Sequence, residues 1–371
     1  MAFGRCFMGL QSAAPHSPPP RGIQYSAKPF DIAREVRYNF CIKIDGEVGL
    51  MDASAREKLL EALKRSIPKK QIVENAPMSR YTTLKLGGPA DVLAQIANVE
   101  QLSAAYAAAR EAGVAVCVLG NGSNLLVRDG GVRGLVIQLG ELFSEVSDPV
   151  PLPDGRVALT AQSGATLQKL CNAAADNALG GLEFASGIPG TVGGAAYMNA
   201  GAYGGEMKDV ITHVTACLPD SRTVSYSNEE MAFGYRRSKI NQQPEPIAIT
   251  SVTVALRPAD EETVRATMRE FSARRREKQP LTLPSCGSTF KRPEGRFAGT
   301  LIEECGLKGF RVGGCSVSTL HAGFLVNDQQ GCASDYLSLI AQVQKAVYEK
   351  SGVRLEPEVR IWGEDVCAKE I

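Results

Sequence analysis

Residues 181–205 read GLEFASGIPGTVGGAAYMNAGAYGG, a run that is apolar and also broken by glycines at 187, 190, 193, 194, 201, 204 and 205. A segment this long and this apolar is poorly suited to be a solvated linker. Its glycines let backbone N–H groups come close to a ligand, so it reads as backbone wrapped on a large flat ligand with an attached diphosphate. A shorter loop, Gly120-Asn121-Gly122-Ser123-Asn124, directly follows a strand pattern over Ala115–Leu119. Small residues there expose donors, and Ser123 and Asn124 add their own. This second loop is not a Rossmann fingerprint, because the third glycine would fall at Leu125 and a strand rather than a helix follows. No Gly-Lys-Ser/Thr occurs, which excludes a P-loop NTPase.

Working outward, a helix is expected after Asp52 on the spacing of Leu59, Leu60, Leu63 and Ile67, with Pro68 ending it. Val99–Ala112 forms a second helix closed by Gly113. Leu125–Val127 and Leu135–Ile137 are strand pieces about an Asp129-Gly130-Gly131 turn. A helix is expected over Leu167–Leu179, then strand alternation over 210–256. A charged helix spans Asp260–Lys278, acidic at its start and basic at its end as the helix macrodipole favours; its Arg274-Arg275-Arg276 run reads as a solvated helix end. A helix from Ser334 to Lys350 and a last strand over Val359–Trp362 close the pattern. Runs of strand and helix without strict alternation indicate an α+β fold.

The 371 residues carry 41 Lys+Arg against 40 Asp+Glu, a net charge of +1, which argues against nucleic-acid binding through a basic patch. No stretch approaches the roughly 20 apolar residues of a membrane span. Three histidines (His16, His213, His321) and ten cysteines without any Cys-x-x-Cys pair make no zinc site, so no metal is expected. Scattered cysteines without a secretory signal read as reduced thiols of a cytoplasmic protein. Residues 1–50 hold a Pro18-Pro19-Pro20 run and no acid before residue 31, and are expected to be a poorly ordered extension.

The two glycine loops, together with residues 80–91 (RYTTLKLGGPAD), resemble the UDP-N-acetylenolpyruvoylglucosamine reductase family of bacterial cell-wall (peptidoglycan) synthesis. Later segments agree in order: GYRRS over 234–238, GSTFKRP over 287–293, AGTLIEECGLKGFRVGG, HAGFLVN, and LEPEVR over 355–360. The resemblance runs from about residue 52 to the C-terminus. It implies an FAD-binding domain of the vanillyl-alcohol-oxidase/PCMH type with two α+β subdomains over 51–256, and a smaller α+β substrate-binding domain over 257–371. It also implies non-covalent FAD and NADPH as co-substrate. The reduced flavin would pass a hydride to C3 of the enolpyruvyl ether, giving UDP-N-acetylmuramate. Another FAD oxidoreductase of the same flavin fold, such as a sugar-lactone oxidase, is the alternative. Small-molecule substrates are expected as the only partners, with neither nucleic acid nor membrane insertion.

The chemistry that the resemblance implies asks for particular residue types. Addition at C3 leaves enolate character at C2 beside a carboxylate, which needs a cationic fork and a proton donor. Carried over residue by residue, Arg236 supplies the fork, Ser288 the proton, and Glu358 polarises or holds the intermediate. Arg237, Cys286 and Glu356 are weaker rivals for these roles. The cofactor loops would contribute Gly120, Asn121, Gly122, Ser123, Asn124, Gly187, Ile188, Pro189, Gly190, Thr191, Gly193, Gly194, Asn199, Gly201 and Ala202. Substrate contacts fall to Tyr203, Tyr235, Lys278, Lys291, Arg292, His321 and Arg360. Two departures stand out: only 51 residues separate Arg236 from Ser288, and no tyrosine follows Tyr235 in that interval. The chain therefore resembles the class that lacks the substrate-covering tyrosine loop. Arg292 stands where other members carry Asn.

Overall fold

A computed structural model describes residues 51–365; the expected extension over 1–50 lies outside the described residues. The first layer opens with α1 (Ala53–Lys64), whose N-cap Asp52 accepts from the Ala55 N–H at 2.6 Å. Strands β1 (Ile72–Pro77) and β2 (Pro89–Gln95) lead to α2 (Val99–Ala112), capped by Asn98 and ended by Gly113 at φ 67°. Strands β3 (Val116–Leu119), β4 (Leu125–Val127) and β5 (Val132–Gln138) follow. The sheet order is β1-β2-β5-β3, with β2, β5 and β3 parallel and β1 antiparallel. One face buries Val92, Leu135 and Ile137 against Leu59 and Leu63 of α1 and Leu102 and Tyr106 of α2.

The second layer comprises β6 (Val150–Pro151), β7 (Val157–Gln162), α3 (Leu167–Asp176), β8 (Leu179–Gly180), α4 (Val192–Met198), the hairpin β9 (Gly201–Ala202) and β10 (Gly205–Glu206), β11 (Ile211–Cys217), β12 (Thr223–Ser227) and β13 (Ala248–Pro258). Its antiparallel sheet runs β12-β11-β13-β7-β6, with α3 and α4 buried on it through Leu170, Val192 and Ala196. One expectation is corrected here. The helix expected over 167–179 stops at Asp176, because Leu179 and Gly180 pair with Pro258 and Arg257 at the end of β13. The glycine-rich stretch is not wholly irregular, since it contains α4 and a tight hairpin turned by Tyr203 (φ 51°) and Gly204 (φ 88°). Helix α5 (Glu261–Lys278), capped by Asp260, packs beside α3.

The last layer holds α6 (Ala298–Glu304), a small sheet of β14 (Arg311–Val312), β15 (Cys315–Val317) and β16 (Leu325–Asn327), then α7 (Ala333–Ser351) and β17 (Arg360–Trp362). Strand β17 pairs in parallel with β4, so the end of the described chain lies beside the first glycine loop. Helix α7 is capped from far away in sequence. The Asp129 carboxylate accepts from the Ala333 and Ser334 N–H groups at 2.8 and 2.9 Å and from the Ser334 hydroxyl at 2.7 Å. Asp129→Ala is expected to lower stability by about 1–2 kcal/mol and the melting midpoint by a few degrees; a thermal scan of the two proteins checks it.

No described helix is long and apolar enough to cross a membrane. Six described cysteines are free, whereas Cys117 is disulfide-bonded, a departure from the expectation of reduced thiols.

Candidate active site

A cavity of about 1050 Å³ opens where the three layers meet. The two glycine loops build one wall and are tied together: the Asn121 side-chain amide donates to the Pro189 carbonyl at 3.1 Å. A Cβ on Gly120 would lie 2.6 Å from Thr191 Oγ1, the hydroxyl that caps α4 by accepting from the Gly194 N–H. Gly122 sits at φ 60°, and a Cβ there would be 2.2 Å from the Tyr81 carbonyl oxygen. Gly122→Ala combines left-handed strain with a clash against immobile backbone. It is expected to cost about 2–4 kcal/mol and to yield protein with less flavin per chain, read as the ratio of visible to near-ultraviolet absorbance. The volume and the small, donor-bearing walls fit an elongated dinucleotide such as FAD. Gly120–Asn124, Ile188–Thr191, Gly193, Gly194, Gly201 and Ala202 all line this space and would hold it.

Opposite these loops, residues 288–291 run beside 356–358. The Glu358 N–H donates to the Thr289 carbonyl and the Lys291 N–H to the Glu356 carbonyl, each at 2.8 Å. The Asn124 amide donates to the Glu358 carbonyl at 3.1 Å, and the Arg360 N–H to the Asn124 carbonyl at 3.0 Å. The first glycine loop is thereby bonded to the segment that carries Glu358 and leads into β17. Arg236 Nε lies 2.5 Å from Glu358 Oε1, and the two side chains are 20% and 14% exposed. Burial raises the Glu358 carboxyl above its ordinary pKa, opposed by the Arg236 guanidinium and by Lys291. Arg236 itself occupies left-handed backbone at φ 54°. Its loop is pinned from below: the Asn199 amide donates to the Gly234 carbonyl at 2.9 Å and the Asn241 amide to the Arg236 carbonyl at 3.2 Å.

Ser288 donates to the Phe290 carbonyl at 3.3 Å, and a Cβ on Gly323 would stand 3.4 Å from its hydroxyl oxygen. The neighbours of Ser288 are fixed by Tyr336 of α7, whose buried hydroxyl lies 3.0 Å from Thr289 Oγ1 and 3.1 Å from Cys286 Sγ. Burial pushes the Cys286 thiol up to about 11, so it is not a thiolate nucleophile near neutral pH. His321 also faces the cavity. Its Nδ1 accepts from the Gly323 N–H at 3.1 Å, and burial pulls its pKa below the usual imidazole value.

Arg236, Ser288 and Glu358 thus meet at one cavity, with Tyr203, Tyr235, Lys278, Arg292, His321 and Arg360 also on its walls. Three expected contact residues are placed elsewhere. Asn199 is fully buried, its side chain spent on Glu206, the Gly234 carbonyl and the Lys208 N–H; it holds the arginine loop rather than facing the cavity. Gly187 lies behind the wall, where a Cβ would meet the Arg275 side chain at 3.5 Å. Lys291 is paired with the exposed Glu356 and reaches the site only through its charge on Glu358. Among the weaker rivals, Arg237 and Glu356 are exposed and do not line the cavity.

One cavity residue was hidden by the sequence reading. Arg275, taken as part of a solvated helix end, is only 8% exposed and lines the cavity together with Arg274. The available signal was spacing: Arg275 falls seven residues after Met268 and eleven after Val264, the apolar pair by which α5 is buried.

Comparison with known proteins adds to this geometry. Residues 279–362 match the family model described as UDP-N-acetylenolpyruvoylglucosamine reductase, C-terminal domain, and residues 90–227 match one described as FAD binding domain. The UDP-N-acetylenolpyruvoylglucosamine reductase of Limosilactobacillus fermentum is 47% identical over 304 residues, covering 82% of this chain and 98% of the relative. That of Staphylococcus saprophyticus is 43% identical over 310 residues, covering 83% and 97%. The crystal structure of the corresponding reductase from Thermus caldophilus superposes with a TM-score of 0.65 at 36% identity, covering 79% of this chain and 98% of that one.

Proposed function

Since the chain belongs to the UDP-N-acetylenolpyruvoylglucosamine reductase family and is an FAD-dependent oxidoreductase, we infer that it reduces UDP-N-acetylglucosamine enolpyruvate to UDP-N-acetylmuramate with NADPH in the cytoplasm, as a step of peptidoglycan precursor synthesis. The observation that carries this reading is the convergence of Arg236, Ser288 and Glu358, from three distant segments, on the cavity walled by both glycine loops.

FAD, which Gly120–Asn124, Ile188–Thr191, Gly193 and Gly194 would hold, would supply the two-electron redox chemistry that links NADPH to the enolpyruvyl group. The protein's own groups handle the charge and the proton. Arg236 offers a planar fork to the substrate carboxylate and to the negative charge that grows beside it. Ser288 donates its proton to C2; a hydroxyl is a weak acid, so its role depends on position and on a strongly basic enolate. Glu358, whose pKa burial raises, stands beside Arg236 where it would hydrogen-bond the intermediate. Tyr203, Tyr235, Lys278, Arg292, His321 and Arg360 are the substrate contacts of this reading. Arg292, one of these contacts, holds its guanidinium 3.9 Å from the Phe297 ring centroid.

The test is an anaerobic titration. NADPH should bleach the flavin, and UDP-N-acetylglucosamine enolpyruvate should restore its colour. Bleaching without restoration would point to a different acceptor. Colour lost only to oxygen and a sugar lactone or hydroxy acid as donor would support the alternative oxidase.

A further inference from the structure

Among the described residues, Arg275 is a cavity-facing cation that is buried without a carboxylate partner. It comes from the last turn of α5 and is 8% exposed, yet it lines the cavity. Its Nε is buried without any hydrogen-bond partner, Nη1 lies 3.4 Å from the neutral Gln279 Oε1, and the neutral Tyr203 side chain also interacts with the guanidinium. The guanidinium carbon lies 5.6 Å from the centre of the Tyr203 ring. Tyr203 is in turn stacked on Phe271 at 4.4 Å and anchored by donating its hydroxyl to the Phe271 carbonyl. No carboxylate among the described residues pairs with Arg275. This differs from the site's other central arginine, Arg236, which has Glu358.

A buried guanidinium with neutral neighbours is costly to keep, and it persists where an anion completes it. Burial pulls its pKa below the ordinary arginine value, as expected for a desolvated charge without a counter-charge. The side chain is held in place by packing and by the aromatic pair, so the fork is pre-organised. Its place favours a substrate over the cofactor. Arg275 touches the second glycine loop from behind, at Gly187, where a Cβ would meet its side chain at 3.5 Å, and on its cavity side it adjoins Tyr203, on the hairpin that also borders Arg236 and Arg292.

We propose that Arg275 is a specificity residue of the cavity that binds a phosphate oxygen of a nucleotide diphosphate substrate. This rests on the functional reading above. The two substrates of that reading, NADPH and the UDP-sugar, share the diphosphate chemistry, and the experiment separates them.

FAD-loaded wild type, Arg275→Met and Arg275→Lys are compared in three measurements: dissociation constants for UDP and for NADP⁺ by calorimetry, flavin content per chain, and the melting midpoint without either nucleotide. Arg275→Met should weaken UDP or NADP⁺ at least tenfold, matching the loss of one charge-assisted hydrogen bond, and the ligand affected identifies the substrate. Arg275→Lys should recover part of the affinity. Flavin content should hold, and the midpoint should stay or rise, because removing an uncompensated buried charge relieves the empty fold. A merely structural arginine would lower the midpoint instead. Affinities within twofold for both nucleotides, loss of flavin, or a lowered midpoint would each overturn the proposal. A wild type that binds neither nucleotide would sink the functional reading itself.

Discussion

Ser288→Ala is expected to leave reduction of the flavin by NADPH within about twofold of wild type while slowing reoxidation by UDP-N-acetylglucosamine enolpyruvate by a factor on the order of 10²–10⁴. The asymmetry follows from where a proton is needed. On the proposed mechanism, accepting electrons from NADPH uses nothing that the Ser288 hydroxyl supplies, whereas the reacting substrate carbon must be protonated. The side chain is small and its removal leaves the supporting contacts intact, since Thr289 and Cys286 keep Tyr336 as partner. Stopped-flow absorbance under anaerobic conditions separates the two half-reactions. Equal slowing of both would remove Ser288 from the role of proton donor.

Arg236→Met should damage both turnover and the fold. It withdraws the proposed substrate fork and also strands the Glu358 carboxylate, which is 14% exposed and paired with Arg236. Breaking a pair this deep typically costs about 3 kcal/mol. The pH dependence has a definite sign. The folded Glu358 pKa is already raised by burial, so its favourable contribution is complete below the unfolded glutamate value and is lost as pH rises through the folded one. Removing Arg236 takes away the main influence holding that pKa down. The variant's deficit in urea unfolding should therefore be larger at pH 8 than at pH 5, where Glu358 can take up a proton. Adding Glu358→Gln should return much of the lost stability and none of the turnover. A deficit independent of pH would mean that Glu358 is not the stranded charge.

Short-range patterns were the readable part of this molecule. Helices α2 and α5 lie where their caps and periodicity put them, because Asn98, Gly113 and Asp260 act on backbone groups within a few residues. The error in α3 has the opposite origin: Leu179 and Gly180 continue the apolar pattern, but β13 claims their backbone for a ladder that joins residues some 80 positions apart. Asn199 shows the same limit at the site. Its place in a glycine-rich loop suggested a ligand contact, and only the folded chain reveals that its side chain is already engaged with Glu206, Gly234 and Lys208.

The α+β class, the two glycine loops, the family and the candidate catalytic residue types are legible before folding, because each is written in contiguous residues and local spacing. Tertiary structure alone decided which charges face one another. Arg236 and Glu358 are 122 residues apart and meet at 2.5 Å because residues 288–291 align with 356–358 and β17 returns to β4. Arg275 becomes a buried cation only when α5 lies down on α3. Electrostatic partnership and desolvation depend on separation in space and exclusion of water, and neither quantity exists until the chain has folded.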